Sequence, residues 1–150
     1  MSFVFDSAKP IAIGCDHAGF EYKTALIKWL TESGHQVKDF GTNSADAVDY
    51  PDFAHPVAAS VASGECSFGI LMCGTANGVA ITANKHPQIR AALCWQNDVA
   101  AITRKHNDAN IICIPARFVS YYLAQQMIEL FMSTAFEGGR HATRINKIPC

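Results

Sequence analysis

The 150-residue sequence lacks a surplus of either charge: 12 Lys and Arg against 13 Asp and Glu leave a net charge of −1. A chain so balanced offers no polybasic face for nucleic acid or for an acidic membrane surface. It also lacks any apolar run near the roughly 20 residues of a membrane span. Met1 to Pro10 carries Asp6 and Lys9 and no long apolar stretch. No secretory leader is expected there, and the cytoplasm is the expected compartment. Cysteine is present at positions 15, 66, 73, 94, 113 and 150, yet no two form a Cys-x-x-Cys pair. No His stands near a Cys at zinc-ligand spacing, so free thiols and no metal are expected. No Gly-x-Gly-x-x-Gly follows the first apolar run, which weighs against a dinucleotide site. Repeats, low-complexity tracts and linkers are missing too, and residues 1–150 read as one domain.

What the sequence has is apolar patterning. Hydrophobic residues make up 49% of the chain, and a chain of this length buries about two-thirds of its unfolded surface. Ile11–Cys15 reads as a buried strand. Tyr22, Ala25, Leu26, Trp29 and Leu30 then recur on one face of a helix that Ser33-Gly34 closes. A second strand is expected over 35–40, and a polar loop over 41–51. Ala54, Val57, Ala58, Val61 and Ala62 mark a second helix. Phe68–Cys73 is a strongly apolar third strand, followed by a Gly-rich turn and a short helix to about Asn84. A fourth strand is expected over 89–95, a helix from Gln96 to about Lys105, a fifth strand over 111–114, and a closing helix over 120–134. Alternating strands and helices imply parallel strands with right-handed crossovers. Strands this apolar fit a sheet covered on both faces. The expected fold is therefore α/β, a three-layer α/β/α sandwich with a Rossmann-like, parallel, five-stranded sheet.

In such sheets ligands bind beyond the carboxyl ends of the strands. That rule selects Asp16-His17-Ala18-Gly19, Gly74-Thr75-Ala76-Asn77-Gly78 and Pro115-Ala116-Arg117. The second loop is the most informative. Backbone N–H groups in a Gly-flanked turn before a helix suit an anion, and the same positive end favours a thiolate at Cys73. A buried structural cysteine beside a packing turn is the competing reading. Asp16 is open to two readings as well, as a helix cap or as a functional carboxylate. His17 has no evident packing role in a loop. His106 and Asn107 end a helix, where a cationic side chain and an αL residue are ordinary. Arg140 and Arg144, four apart, fit either a phosphate clamp on a helix face or a solvated basic tail. His35, His55 and His86 read as ordinary surface or loop residues.

Several segments, taken in order, resemble the ribose-5-phosphate isomerase B family, which also includes galactose-6-phosphate isomerase subunits. They are Gly14–Phe20, Asp49–Pro51, Cys73-Gly-Thr75 with Gly78, Ala83–Lys85, Ile89–Ala91, His106–Asn110, Arg117, and Phe136–His141 with Arg144. They span nearly the whole chain.

The resemblance implies roles. Cys73 corresponds to the base that takes the C2 proton of the open-chain aldose, with Thr75 close to the thiol. Gly74, Thr75, Ala76, Asn77 and Gly78 correspond to the site for the enediolate oxygens. His106 corresponds to the acid that opens the furanose ring, with Asp16 nearby, and Asn107 to a sugar contact. His17, Arg117, Arg140 and Arg144 correspond to the phosphate-binding set, and Tyr50 to the pocket lining. The substrate implied is a small sugar phosphate, with neither metal nor other cofactor. Family members are homodimers or tetramers whose active sites use two subunits. His106, Asn107 and the arginines would then reach into the neighbour's site. The tail over 135–150 would contribute to the phosphate site or the dimer contact.

The chain also departs from the pattern. Ala76 stands where many members have glycine, and Asn77 adjoins the oxyanion site. Some members replace the cysteine by a glutamate base just after the last loop glycine; here that position is Val79, and Cys73 is present. The expected reaction interconverts ribose 5-phosphate and ribulose 5-phosphate through a cis-enediolate. Allose or galactose 6-phosphate isomerisation, or a non-catalytic sugar-phosphate or nucleotide-binding module, are the alternatives.

Overall fold

A computed structural model describes residues 2–150. Five strands form one parallel sheet: β1 (Ile11–Cys15), β2 (Val37–Asp39), β3 (Gly69–Cys73), β4 (Ala91–Leu93) and β5 (Ile111–Pro115), in the order β2-β1-β3-β5-β4. The inner strands β1, β3 and β5 are buried at every position. Their uninterrupted apolar runs follow from having both faces covered.

Successive side chains of a strand point to opposite faces, and two cores result. Ile13, Ile70, Met72 and Ile114 pack on one face with Leu26 and Leu30 of α1 (Phe20–Glu32), Ala100 of α4 (Asn97–Asn107) and Met127 and Phe131 of α5 (Tyr121–Ser133). Ala12, Leu71, Cys73 and Cys113 face the other way, onto Val57 and Ala58 of α2 (Pro51–Ala62) and Val79 and Ala80 of α3 (Asn77–Ala83). The three-layer sandwich expected from the sequence is the observed one. Among the described residues no helix is long and apolar enough to cross a membrane.

Some boundaries differ from those expected. β2 is shorter than 35–40 and β4 shorter than 89–95. Both lie at the sheet edges, where pairing on one side alone supports fewer residues. Ile89 is buried but precedes its strand, because the Arg90 N–H turns to Asn110 Oδ1 at 2.9 Å. α4 runs to Asn107, and the left-handed residue past its end is Asp108 (φ 45°) rather than Asn107. The tail folds back as α6 (Arg140–Ile145) after Gly138 and Gly139, both at positive φ.

The N-terminal segment closes the amino end of the sheet. Phe5 stacks on Phe68 at 4.5 Å and on Phe131 at 5.7 Å, and the Val4 N–H donates to the Met132 carbonyl at 2.9 Å. The Arg104 guanidinium lies 4.5 Å over the Phe5 ring.

Candidate active site

The strand order reverses between β1 and β3: the chain leaves β1 outward to β2 and later returns to β3 on its other side. Loops diverge at such a point and open a crevice at the carboxyl ends. Asp16 follows β1 there, and Cys73 is the last residue of β3, level with Pro115 of β5. Cys73 is 4% exposed, on the α2–α3 side of the sheet.

The loop after Cys73 is held from two directions. The Ala116 N–H donates to the Cys73 carbonyl (3.0 Å), and the Arg117 N–H to that of Gly74 (3.2 Å). This brings the Arg117 side chain over Gly74, where a Cβ would lie 3.3 Å from Arg117 Cδ and Nη1. At the loop's far end the Tyr50 ring covers Gly78. Between them Ala76 adopts φ 62° and is fully buried. A left-handed alanine costs about 1 kcal/mol, so surrounding packing holds this turn. The Thr75 hydroxyl accepts from the Asn77 N–H at 3.3 Å. Among the described residues no hydrogen bond joins it to Cys73.

On the β1 side, Asp16 Oδ1 accepts from the Ala18 N–H (2.9 Å), so the capping reading holds for one oxygen. The other is left for chemistry. His17 Nδ1 accepts from the Val48 N–H at 3.2 Å. That bond leaves the ring proton on Nε2, a donor suited to a phosphate oxygen.

His106 and Asn107 lie elsewhere. Arg90, which precedes β4, donates from Nε to the Asn107 carbonyl at 2.8 Å. Asn107 is thus tied to the amino end of the sheet. β3 and β5 run in register from Gly69 with Ile111 to Cys73 with Pro115. At about 3.3 Å per residue the two ends are roughly 13 Å apart along the strands. One chain therefore carries Cys73, Asp16, His17, Tyr50 and Arg117 at one end, and His106 and Asn107 at the other. Arg117 belongs with Cys73 of its own chain, which corrects the expectation that all three arginines reach a neighbour.

α6 joins the far half. The His106 and His141 rings stack at 4.1 Å and 9°. Their Nε2 atoms are 4.0 Å and 3.6 Å from one oxygen, Oε2 of Glu137. Burial first, then the His106, Arg140 and Arg144 charges, hold His141 below the usual histidine range. Arg140 and Arg144 sit in the same helix and are exposed. Of the five arginines, Arg90 and Arg104 pair with Asp108, while among the described residues Arg117, Arg140 and Arg144 have no acidic partner. The three unpaired ones are the three expected at the phosphate. Asn107 also lines a cavity of about 580 Å³ with Lys85, His86, Ile145 and Ile148.

α3 spans the distance between the halves. It begins at Asn77 beside the loop, and Asn84 past its end exchanges two hydrogen bonds with Ala91 (2.9 and 2.8 Å). Its Ile81 is 62% exposed.

Five of the six cysteines are buried, and Cys150 is exposed. Burial pushes the thiols of Cys15 and Cys94 up to about 12, the former despite the Lys23 ammonium, and Cys113 well above its usual value. These three stay protonated. Two features escaped the sequence reading. His55 and His86 are joined, Nδ1 to Nε2, at 2.9 Å, so they are a pair rather than separate surface residues. His106, Glu137 and His141 also form the one trio among the described residues with ligand atoms within 4.8 Å of one another, a spacing that could hold a metal ion. Arg140 and Arg144, whose charges reach His141, oppose a cation there.

The model of a family described as Ribose/Galactose Isomerase matches residues 11–148. The chain is 43% identical over 140 residues to ribose-5-phosphate isomerase B of Escherichia coli, covering 93% of this chain and 94% of that one. A ribose 5-phosphate isomerase structure from Thermotoga maritima superposes with a TM-score of 0.92 at 48% identity, covering 94% of this chain and 97% of the other. Ribose-5-phosphate isomerase B from Mycoplasma genitalium, with bound ribulose-5-phosphate, superposes with a TM-score of 0.91 at 39% identity over 95% of each chain.

Proposed function

The chain belongs to the ribose/galactose isomerase family and is an aldose–ketose isomerase, and from that footing we propose that it interconverts ribose 5-phosphate and ribulose 5-phosphate through a cis-enediolate with Cys73 as the base. The observation that carries the assignment is the place of Cys73 in the switch-point crevice, with Arg117 over the adjoining Gly74 and buried Val79 where a glutamate base would stand.

The chemistry fits these groups. The Cys73 thiolate takes the C2 proton of the open-chain aldose and returns it to C1. The developing negative charge on the sugar oxygens meets the backbone of Gly74 to Gly78, and fixed donors of this kind contribute roughly 3–4 kcal/mol each. Arg117 and the Nε2–H of His17 hold the phosphate away from the reacting carbons, together with Arg140 and Arg144. Remote contacts of this kind position the sugar for proton transfer.

His106 acts on the other step, giving its proton to the furanose ring oxygen, while Asp16 takes the C1 hydroxyl proton. His106 stands at the opposite end of its own sheet from Cys73, so it serves the site of a second copy. A two-fold pairing places each copy's far half over the other's near half. The strip of α3 and the open edge of β4, lined by Asn77, Ile81, Asn84 and Leu93, runs between the halves and suits that contact. Tail residues 135–150 bring Arg140 and Arg144 to the neighbour's phosphate.

Substitution of Cys73 by Ala tests the base. The variant is expected to bind ribose 5-phosphate in calorimetry and to lose isomerisation in a coupled assay. Ordinary turnover would remove Cys73 from the mechanism.

A further inference from the structure

The function above uses His106 but leaves Glu137 and His141 without a task, although both meet its ring. Their arrangement is built by the backbone. The Glu137 N–H donates to the Lys105 carbonyl at 3.1 Å, which fixes Glu137 next to the residue before His106. Arg104 of the same helix donates to the Thr134 carbonyl at 3.2 Å, so residues 134–137 are fastened to α4 at two points. Gly138 and Gly139, at φ 67° and 56°, then turn the chain. The His141 N–H closes that turn on the Gly138 carbonyl at 3.1 Å. The result is a parallel stack in which His141 is 6% exposed and His106 is half-buried. One carboxylate oxygen addresses both Nε2 atoms.

We propose that Glu137 is a positioning residue for ring opening: its carboxylate holds the Nε2 edge of His106 against the His141 plate, so that Nδ1 is the nitrogen offered to the sugar. This deepens the reading of His106 as the acid and rests on it. A carboxylate on one imidazole nitrogen selects the tautomer and the ring angle, and so commits the other nitrogen to the substrate. At 3.6 and 4.0 Å the contacts are longer than hydrogen bonds, and catalytic hydrogen bonds are often long in a site without substrate and tighten in the complex. Glu137 also supplies the negative neighbour that an imidazolium needs beside Arg140 and Arg144. In the step itself the bond between C1 and the ring oxygen breaks. The ring oxygen takes the proton from Nδ1, and the C1 hydroxyl loses its own to Asp16. The Nε2–H stays with Glu137, and His106 regains a proton from solvent.

The test separates ring opening from the proton transfer at Cys73. Ribulose 5-phosphate is acyclic, because its C5 oxygen carries the phosphate. Deuterium uptake at its C1 from D₂O needs the enediolate and not the ring step. With Glu137→Gln, consumption of ribose 5-phosphate should fall at least about tenfold, while deuterium uptake into ribulose 5-phosphate stays within about twofold of the unsubstituted enzyme. Glu137→Asp, which keeps the charge, should recover part of the loss. Equal losses in both assays would reduce Glu137 to a structural role, and no loss in either would remove it altogether; both overturn the proposal. His106→Asn in the same assays keeps the two readings apart. If it too leaves ribose 5-phosphate consumption intact, the acid assignment fails. If it alone loses that consumption, His106 keeps its role and Glu137 does not.

Discussion

The ring of Tyr50 fills the space that a side chain at Gly78 would need: a Cβ there would lie 2.5 Å from Tyr50 Cζ. Tyr50 is 39% exposed, so its ring can swing aside. Gly78→Ala therefore displaces the pocket wall rather than breaking the fold. Alanine is also better than glycine inside a helix by about 1 kcal/mol, and Gly78 lies in the first turn of α3. The expected outcome is a midpoint in urea unfolding that holds or rises, with a loss of about five- to tenfold in kcat/KM. In a Tyr50→Ala background the same substitution should cost little more activity, which a double-mutant cycle reads directly.

The proposed division of the site between two copies predicts complementation. If each site is shared within a dimer, Cys73→Ala and His106→Ala proteins should both be inactive on ribose 5-phosphate. Unfolded together and refolded at equal amounts, half the dimers are mixed, and each mixed dimer has one intact site. Activity should return to about a quarter of the unsubstituted level. A mixture as inactive as its parts would place both residues in the same chain's site.

The buried thiols predict a loss of stability in alkali. Cys94 has its folded value pushed up to about 12 from 9.0 by burial. A group raised on folding stabilises fully below its unfolded value, and that contribution drains as pH climbs towards the folded one. By about pH 10.5 Cys94 alone should have given up about 2 kcal/mol. Denaturation curves between pH 9 and that point should fall less steeply for Cys94→Ala, despite its lower starting stability.

Lys23 is 2% exposed, and its ammonium lies 2.7 Å from both oxygens of Asp39, whose Oδ1 also accepts from the Gly41 N–H. The two partners are not equivalent, because Asp39 remains partly solvated. Asp39→Ala strands a buried charge and should cost about 3 kcal/mol, whereas Lys23→Met leaves an accessible carboxylate and should cost under about 2 kcal/mol. Urea unfolding that ranks them the other way would show that the loop after β2 depends on the Lys23 charge itself.

Most of the near half of the site was legible because Asp16, His17 and Arg117 follow, and Cys73 ends, an apolar run that reads as an inner strand, whereas Tyr50 closes a polar loop and came only by resemblance. Phe68–Cys73 ending on Gly74 located both the sheet end and the loop. The far half was legible only by resemblance. α6 is six residues long behind two glycines, too short for a periodic signal. Glu137 and His141 are some thirty residues from His106, and no local pattern announces a stack between two helix ends. The edge strands were overestimated because apolar character at Ile89 reflects burial beneath the chain rather than pairing. The carboxyl-end rule put Arg117 beside the Cys73 loop, but that its side chain lies over Gly74 of the same chain depended on the turn that hydrogen-bonds Gly74, which the sequence does not spell out.

The aromatic closure at the amino end has a consequence for how the chain is made. Phe5 rests against Phe131 of α5 as well as Phe68, so its dock is complete only once α5 is in place. Contacts between such distant positions form late and slow the search for the native state. Until α5 has left the ribosome, Phe5 has Phe68 but not Phe131 to cover it, on a growing chain whose inner strands are already sticky. The passage through synthesis, rather than the finished molecule, is where this sequence is most exposed to aggregation.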